Sequence, residues 1–171
     1  MTEAWPEQIH RVLIDAQIRH VAYVPDSAHT RLIELANEDD RLEATVLTTE
    51  EEGIGLLCGA WLGGERGVLL MQSSGVGNCI NTLSLLQNGQ FPFLTLVSMR
   101  GEWGEFNPWQ NAMGSVTGQA MEMMGVAIHK VDRAEEAAET VAAAASMAFN
   151  GDSAQAVILS QRMIGKKEWD K

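Results

Sequence analysis

Three consecutive carboxylates, Glu50, Glu51 and Glu52, open the segment TTEEEGIGLLCGAWLGG at Thr48–Gly64, where a short apolar run ends and a helical pattern begins. A carboxyl can take up and release a proton, and one enclosed at a strand end is suited to acid–base work. Glu51 and Glu52 read as solvated charge at a helix N-terminus, favourable by about 0.3–1 kcal/mol each. Glu50 differs because it follows the run directly. Gly53, Gly55, Gly59 and Ala60 then make a helix of poor propensity, which predicts something packed close against it and a buried Glu50. A second acid, Asp26, lies in a PDS turn after another apolar run. The segment SSGVGN, Ser73–Asn78, has glycines where a backbone could cradle a phosphate. Ile80 stands where a dinucleotide fingerprint wants glycine, however, and no Lys-Ser or Lys-Thr pair completes a P-loop, so a bare tight turn is the simpler reading.

The elements that must position these groups alternate. An amphipathic helix carries Trp5, Ile9, Val12, Leu13 and Ala16 on one face, with Pro6 tolerated in its first turn, and HVAYV from His20 reads as a buried strand. Helices follow at Arg31–Glu38, Glu50–Leu62, Asn78–Asn88, after Met113 to Met124, and at Arg133–Asn150. Strands fall at Ala44–Thr48, Gly67–Gln72, Phe93–Ser98, Ala127–Val131 and AQAVILS from Ala154, with a long polar and aromatic loop at Met99–Met113. Such alternation predicts an α/β domain of three α/β/α layers around a mostly parallel six-stranded sheet, with right-handed crossovers. Ligands of such sheets sit beyond the carboxyl ends of the strands, where Pro25, Asp26, Ser27, His29, Glu50, Ser73–Asn78 and the Met99–Gln110 loop lie.

Composition narrows the partners. The net charge of −11, with Lys130, Lys166, Lys167 and the arginines scattered, leaves no basic stripe for nucleic acid. No run reaches the roughly 18 apolar residues of a membrane span, and the N-terminal MTEAWPEQIHR lacks a positive-then-apolar leader pattern, so a cytoplasmic protein is expected. Cys58 and Cys79 each sit in an apolar segment and read as reduced core thiols, and the four histidines lack metal-ligand spacing. No linker or repeat divides residues 1–171, which read as one domain.

The order of strand, Glu50, Gly59-Ala-Trp, then Gly67-VLLMQSSGVGN resembles the pyrimidine-binding (PYR) domain of thiamine-diphosphate-dependent enzymes. Through YVPDS at Tyr23, TEEEGIG at Thr49, LLMQSSGVGNCIN at Leu69 and SMRGEWGEFNPWQ at Ser98, nearly the whole chain resembles the sulfopyruvate and phosphonopyruvate decarboxylases, in particular alpha subunits of the former. The resemblance implies that Glu50 bonds the cofactor's aminopyrimidine and so activates the thiazolium toward a 2-oxo acid, which loses CO2. It implies a supporting acid role for Asp26, and cofactor contacts from Pro25, Glu50, Gln72, Ser74, Gly75 and Asn78. His29 and Arg100, beside strand ends, are candidates for an acidic substrate group, with Asn107 and Gln110 as neutral partners; Arg66 lies at the wrong end of its strand.

Family members hold Mg²⁺ and the diphosphate on a Gly-Asp-Gly segment followed 25 to 30 residues later by Asn, a site of carboxylate and phosphate oxygens. Gly151-Asp152-Ser153 has too few residues after it to match. The resemblance therefore implies half a site, with the diphosphate and Mg²⁺ half on a beta subunit in an α2β2 or larger assembly. Trp61, Trp103 and Phe106 are expected to be exposed at that interface. Sulfonate, phosphonate and other short 2-oxo acid substrates all remain open, as does carboligation in place of simple decarboxylation. A non-catalytic PYR-like regulatory module is the competing class; a flavodoxin-like mononucleotide binder is disfavoured by the short, acidic PDSAH turn after the first strand.

Overall fold

The computed structural model describes residues 4–165, so Lys166 and Lys167 lie outside the described residues. All six strands are parallel: β1 (Ile18–Tyr23), β2 (Glu43–Val46), β3 (Arg66–Gln72), β4 (Phe93–Ser98), β5 (Ala127–Val131) and β6 (Ala154–Leu159), in the order β2-β1-β3-β4-β6-β5. The alternation of elements required this, because parallel neighbours need a crossover long enough to return the chain to the same end. Every residue of β4 and the five inner residues of β3 are buried, as unbroken apolar runs covered on both faces should be.

Helices cover both faces. On one, α1 (Trp5–Asp15), α2 (Thr30–Glu38) and α7 (Ala134–Asn150) bury Ile9, Leu13, Leu32, Ala36, Val141 and Ala145 against Val21, Val68, Leu70 and Leu96. On the other, α3 (Glu50–Leu62), α4 (Ser73–Cys79), α5 (Ser84–Gly89) and α6 (Asn111–Met123) pack Ile54, Val76, Leu86 and Met121 with Leu69, Met71, Val97 and Ile158. The alanines of α7 lower side-chain bulk along the buried stripe. A final turn, α8, spans Gln161–Ile164.

The structure departs from expectation at three places. SSGVGN is not a bare turn: α4 starts at Ser73 as soon as β3 ends, and the helix expected over Asn78–Asn88 is broken between Cys79 and Ser84 into α4 and α5. Trp61 is not exposed but half-buried, tilted on Phe149 of α7 with ring centroids 6.2 Å apart and packed against that face's core. Gly53 does make room, for Leu69 and Leu47, but Gly55 and Gly59 face open space in this chain. Both cysteines are free and buried; burial first, then Glu50 and Glu51, pushes the Cys79 thiol up to about 12. Among the described residues, no helix is long and apolar enough to cross a membrane.

Candidate active site

β1 lies between β2 and β3 in the sheet, so the connection from β1 departs to one side and β3 joins on the other. That reversal opens a crevice at the carboxyl ends of β1 and β3, the usual ligand position in an open parallel sheet. Asp26 follows β1 there and Ser73 follows β3, while Glu50 begins α3 four residues beyond the end of the neighbouring strand β2.

Two groups of side chains share this end. In the first, Asp26 accepts on both oxygens: Gln72 Nε2 donates to Oδ1 at 3.0 Å, and Ser98 Oγ donates to Oδ2 at 2.6 Å. Ser74 Oγ donates to Gln72 Oε1 at 2.8 Å, which turns the amide so that its NH₂ faces the carboxylate. Pro25, beside Asp26, is exposed. In the second, Glu50 is 8% exposed, whereas Glu51 and Glu52 are open to solvent, with Glu52 accepting the Thr48 N–H at 2.9 Å. Asn78 Nδ2 donates to Glu50 Oε2 at 3.0 Å, and the other oxygen rests directly on Gly75, where any Cβ would overlap the carboxyl. Gly75 is thus a cradle for Glu50. Burying a carboxyl is costly unless it is bonded, and Asn78 with the N-terminus of α3 offsets that cost. The helix α4 ties the groups together, because Ser74 serves the first while Gly75 and Asn78 serve the second.

The two cationic candidates are placed differently from what their positions in the chain suggested. His29 has no exposed surface, and neither ring nitrogen meets a partner at hydrogen-bonding geometry. Burial holds it below the ordinary histidine range, outweighing Asp26 and the Met71 and Leu96 carbonyls, so the ring is neutral and brings no positive charge to an anion. Arg100 forms a two-pronged pair with Glu105 at 2.6 and 2.7 Å, and its guanidinium lies over Phe106. Glu105 also accepts from Gly101 N, Asn107 N and Gln161 Nε2, and Arg100 above all holds its carboxyl far below the usual range. Asn107 turns its Oδ1 back onto Trp109 N at 3.2 Å to cap a 3₁₀ turn, Pro108–Gln110, and Gln110 Oε1 is enclosed without a partner. Arg100 and Asn107 are thus bonded within their own loop, whereas His29 and Gln110 Oε1 are enclosed without a partner. Arg66 donates to the Ala16 carbonyl at the opposite end of the sheet, as expected.

Sequence reasoning missed Ser98, Glu105 and Gln161. Ser98 ends an apolar strand with a hydroxyl, a signal that was readable; Gln161, which binds Glu102 N and Trp103 N from some sixty residues away, had none. The loop they hold presents Trp103, Phe106 and Trp109 to solvent, Trp109 at 86% exposure. Among the described residues, no cluster of His, Cys, Asp and Glu is arranged to hold a metal ion.

Comparison with known proteins places this arrangement. No protein-family model matches the chain. The sulfopyruvate decarboxylase subunit alpha of Methanococcus maripaludis is 31% identical over 154 residues, which cover 90% of this chain and 92% of that protein. The chain belongs to the sulfopyruvate decarboxylase alpha subunit family. A phosphonopyruvate decarboxylase of Streptomyces viridochromogenes is 37% identical over 105 residues, 60% of this chain but 26% of that longer protein. Among solved structures, the 2-oxoglutarate:ferredoxin oxidoreductase of Magnetococcus marinus superposes with a TM-score of 0.69 over 98% of this chain and 33% of its own, at 11% identity, a likeness of fold. The similarity to that alpha subunit thus runs along nearly the whole length of both chains.

Proposed function

We propose that the chain is the aminopyrimidine-holding subunit of a thiamine-diphosphate-dependent decarboxylase, acting on sulfopyruvate to release CO2 and sulfoacetaldehyde. The observation that carries this reading is Glu50: a buried carboxyl at a strand end, held by Asn78 on one oxygen and lying in a cradle that only glycine at position 75 permits. A buried carboxyl beside closely approaching backbone suits a flat, nitrogen-containing ring. When bound, thiamine diphosphate supplies the electron sink that a 2-oxo acid needs in order to lose CO2.

The chain's own contributions follow from its geometry. Glu50, shielded from bulk water and oriented by Asn78, would meet the cofactor's aminopyrimidine ring and supply the acid–base group there. We assign Pro25, Gln72, Ser74 and Gly75 to cofactor contact as well; Gly75 lies against Glu50, and Gln72 and Ser74 belong to the Asp26 network. Asp26, an acceptor on both oxygens, sits across α4 as the second acid, able to hold a proton for the reaction's last step. We assign the Mg²⁺ and diphosphate ligands to a beta subunit in an α2β2 or larger assembly. The nearly full-length match to proteins named subunit alpha supports a divided enzyme of this kind. With His29 neutral and Arg100 committed to Glu105, the positive charge that meets the substrate's sulfonate comes mainly from that partner. A phosphonopyruvate substrate is the second reading, supported by a match confined to part of a much longer enzyme.

The test is to purify the tagged chain with whatever accompanies it and to follow sulfopyruvate decarboxylation with and without thiamine diphosphate. Glu50→Gln should leave the complex assembled while turnover falls by at least about 100-fold. Near wild-type turnover in this variant would remove Glu50 from the mechanism and favour a regulatory module.

A further inference from the structure

Ser98 is fully buried at the end of the central strand β4, yet its hydroxyl is not spent within the sheet. It donates to Asp26 Oδ2 at 2.6 Å, across 72 residues of sequence, while the Met71 carbonyl stands at 3.5 Å on its other side. A hydroxyl has one hydrogen, so it serves one of these acceptors at a time. The present geometry gives that hydrogen to the carboxylate, at a separation typical of charge-assisted O–H···O⁻ bonds.

We infer that Ser98 is a positioning residue for Asp26: its buried hydroxyl, opposite the Gln72 amide, holds the carboxyl in one orientation in the crevice. Gln72 Nε2 can only donate, so both fixed partners favour the charged acid. Once Asp26 takes a proton, the bond from Ser98 weakens and the hydroxyl has the Met71 carbonyl as a second acceptor. The neutral state is thus reached without stranding a buried donor, and the charged state is restored by one hydroxyl rotation. His29, on the same connection, and Arg100, after β4, act on Asp26 through space. His29 is kept neutral by burial and Arg100 is paired with Glu105, so neither substitutes for the missing donor when Ser98 is changed.

This inference rests on the decarboxylase reading for its consequence in turnover, but not for the Ser98–Asp26 contact itself. Two measurements on the assembled complex separate them. In the absence of cofactor, isotope-edited infrared spectroscopy of aspartate-labelled complex, with Asp26→Asn to assign the band, should show the Asp26 carboxylate stretch move in Ser98→Ala and return in Ser98→Thr, which keeps the hydroxyl. With cofactor and substrate, losing one bond to a charged group should carry the acidic limb of the pH–rate profile upward by roughly one to two pH units in Ser98→Ala, with Ser98→Thr near wild type. An unmoved band and limb in Ser98→Ala, with Glu50→Gln still inactive, would overturn the role of Ser98 and leave the reaction standing. A moved band in a complex that decarboxylates nothing would sustain the Ser98–Asp26 pairing and sink the proposed reaction.

Discussion

Replacing Gly75 by alanine separates the cradle under Glu50 from the stability of the fold. A Cβ at position 75 would stand 2.6 Å from Glu50 Cγ and closer to its carboxyl, so the two cannot coexist in the present geometry. The group in the way is the far end of a flexible side chain, not backbone, and it can swing aside. Doing so breaks the Asn78 bond, a loss of about 1.5–3 kcal/mol for a charged acceptor, part of which solvent restores. Alanine in a helix returns up to about 1 kcal/mol relative to glycine. The expected net change in unfolding free energy is therefore a loss of about 0–2 kcal/mol, measured by urea denaturation. Turnover should fall far more, by about 100-fold, because a reacting group moved by about 1 Å loses its alignment. Gly59→Ala is the control: its Cβ meets open space, so it should stabilise the chain by up to about 1 kcal/mol. Gly75→Ala with turnover within threefold of wild type would refute the claim that this glycine sets the Glu50 position, and a loss above about 4 kcal/mol would show that Glu50 cannot swing aside.

Two further outcomes follow from other parts of the structure. His29 is neutral in the fold and depressed below its unfolded value of about 6.5, so its stabilisation is complete above that pH and is lost as pH falls toward the folded value, by up to about 1.4 kcal/mol per unit. His29→Leu should remove that slope from urea unfolding measured between pH 7 and 5, and an unchanged slope would show that the ring takes its proton without cost. Trp109→Ala, at an 86% exposed position, should leave thermal unfolding of the chain unchanged while weakening binding to the proposed partner subunit by about 30-fold or more, as aromatic anchors do, read by titration calorimetry. Unaltered affinity would place the partner elsewhere.

Burial patterns were legible in the sequence wherever one residue type decides them. The unbroken apolar runs of β3 and β4 could only be strands covered on both faces, and strands separated by helices could only pair in parallel. Glu50 was legible because a strand, an acid and a string of small residues follow one another within one local segment. Its neighbours Glu51 and Glu52 were separable from it by position alone, since consecutive residues on a helix point in different directions.

What the chain could not announce are contacts between distant segments. Gly75 reads as a turn residue in SSGVGN, and only the packing of α3 beside α4 reveals that it leaves room for Glu50. His29 and Arg100 are both adjacent to strand ends, but whether a cation is free or committed depends on what the fold encloses: α2 and the sheet shut in one, and Glu105 holds the other. Ser98 and Gln161 acquire their roles from partners more than fifty residues away. Sequence periodicity records which face of an element is buried, because that depends on local spacing. It does not record which polar group meets which across the carboxyl ends of the strands, because that depends on the strand order and on how the connections cross.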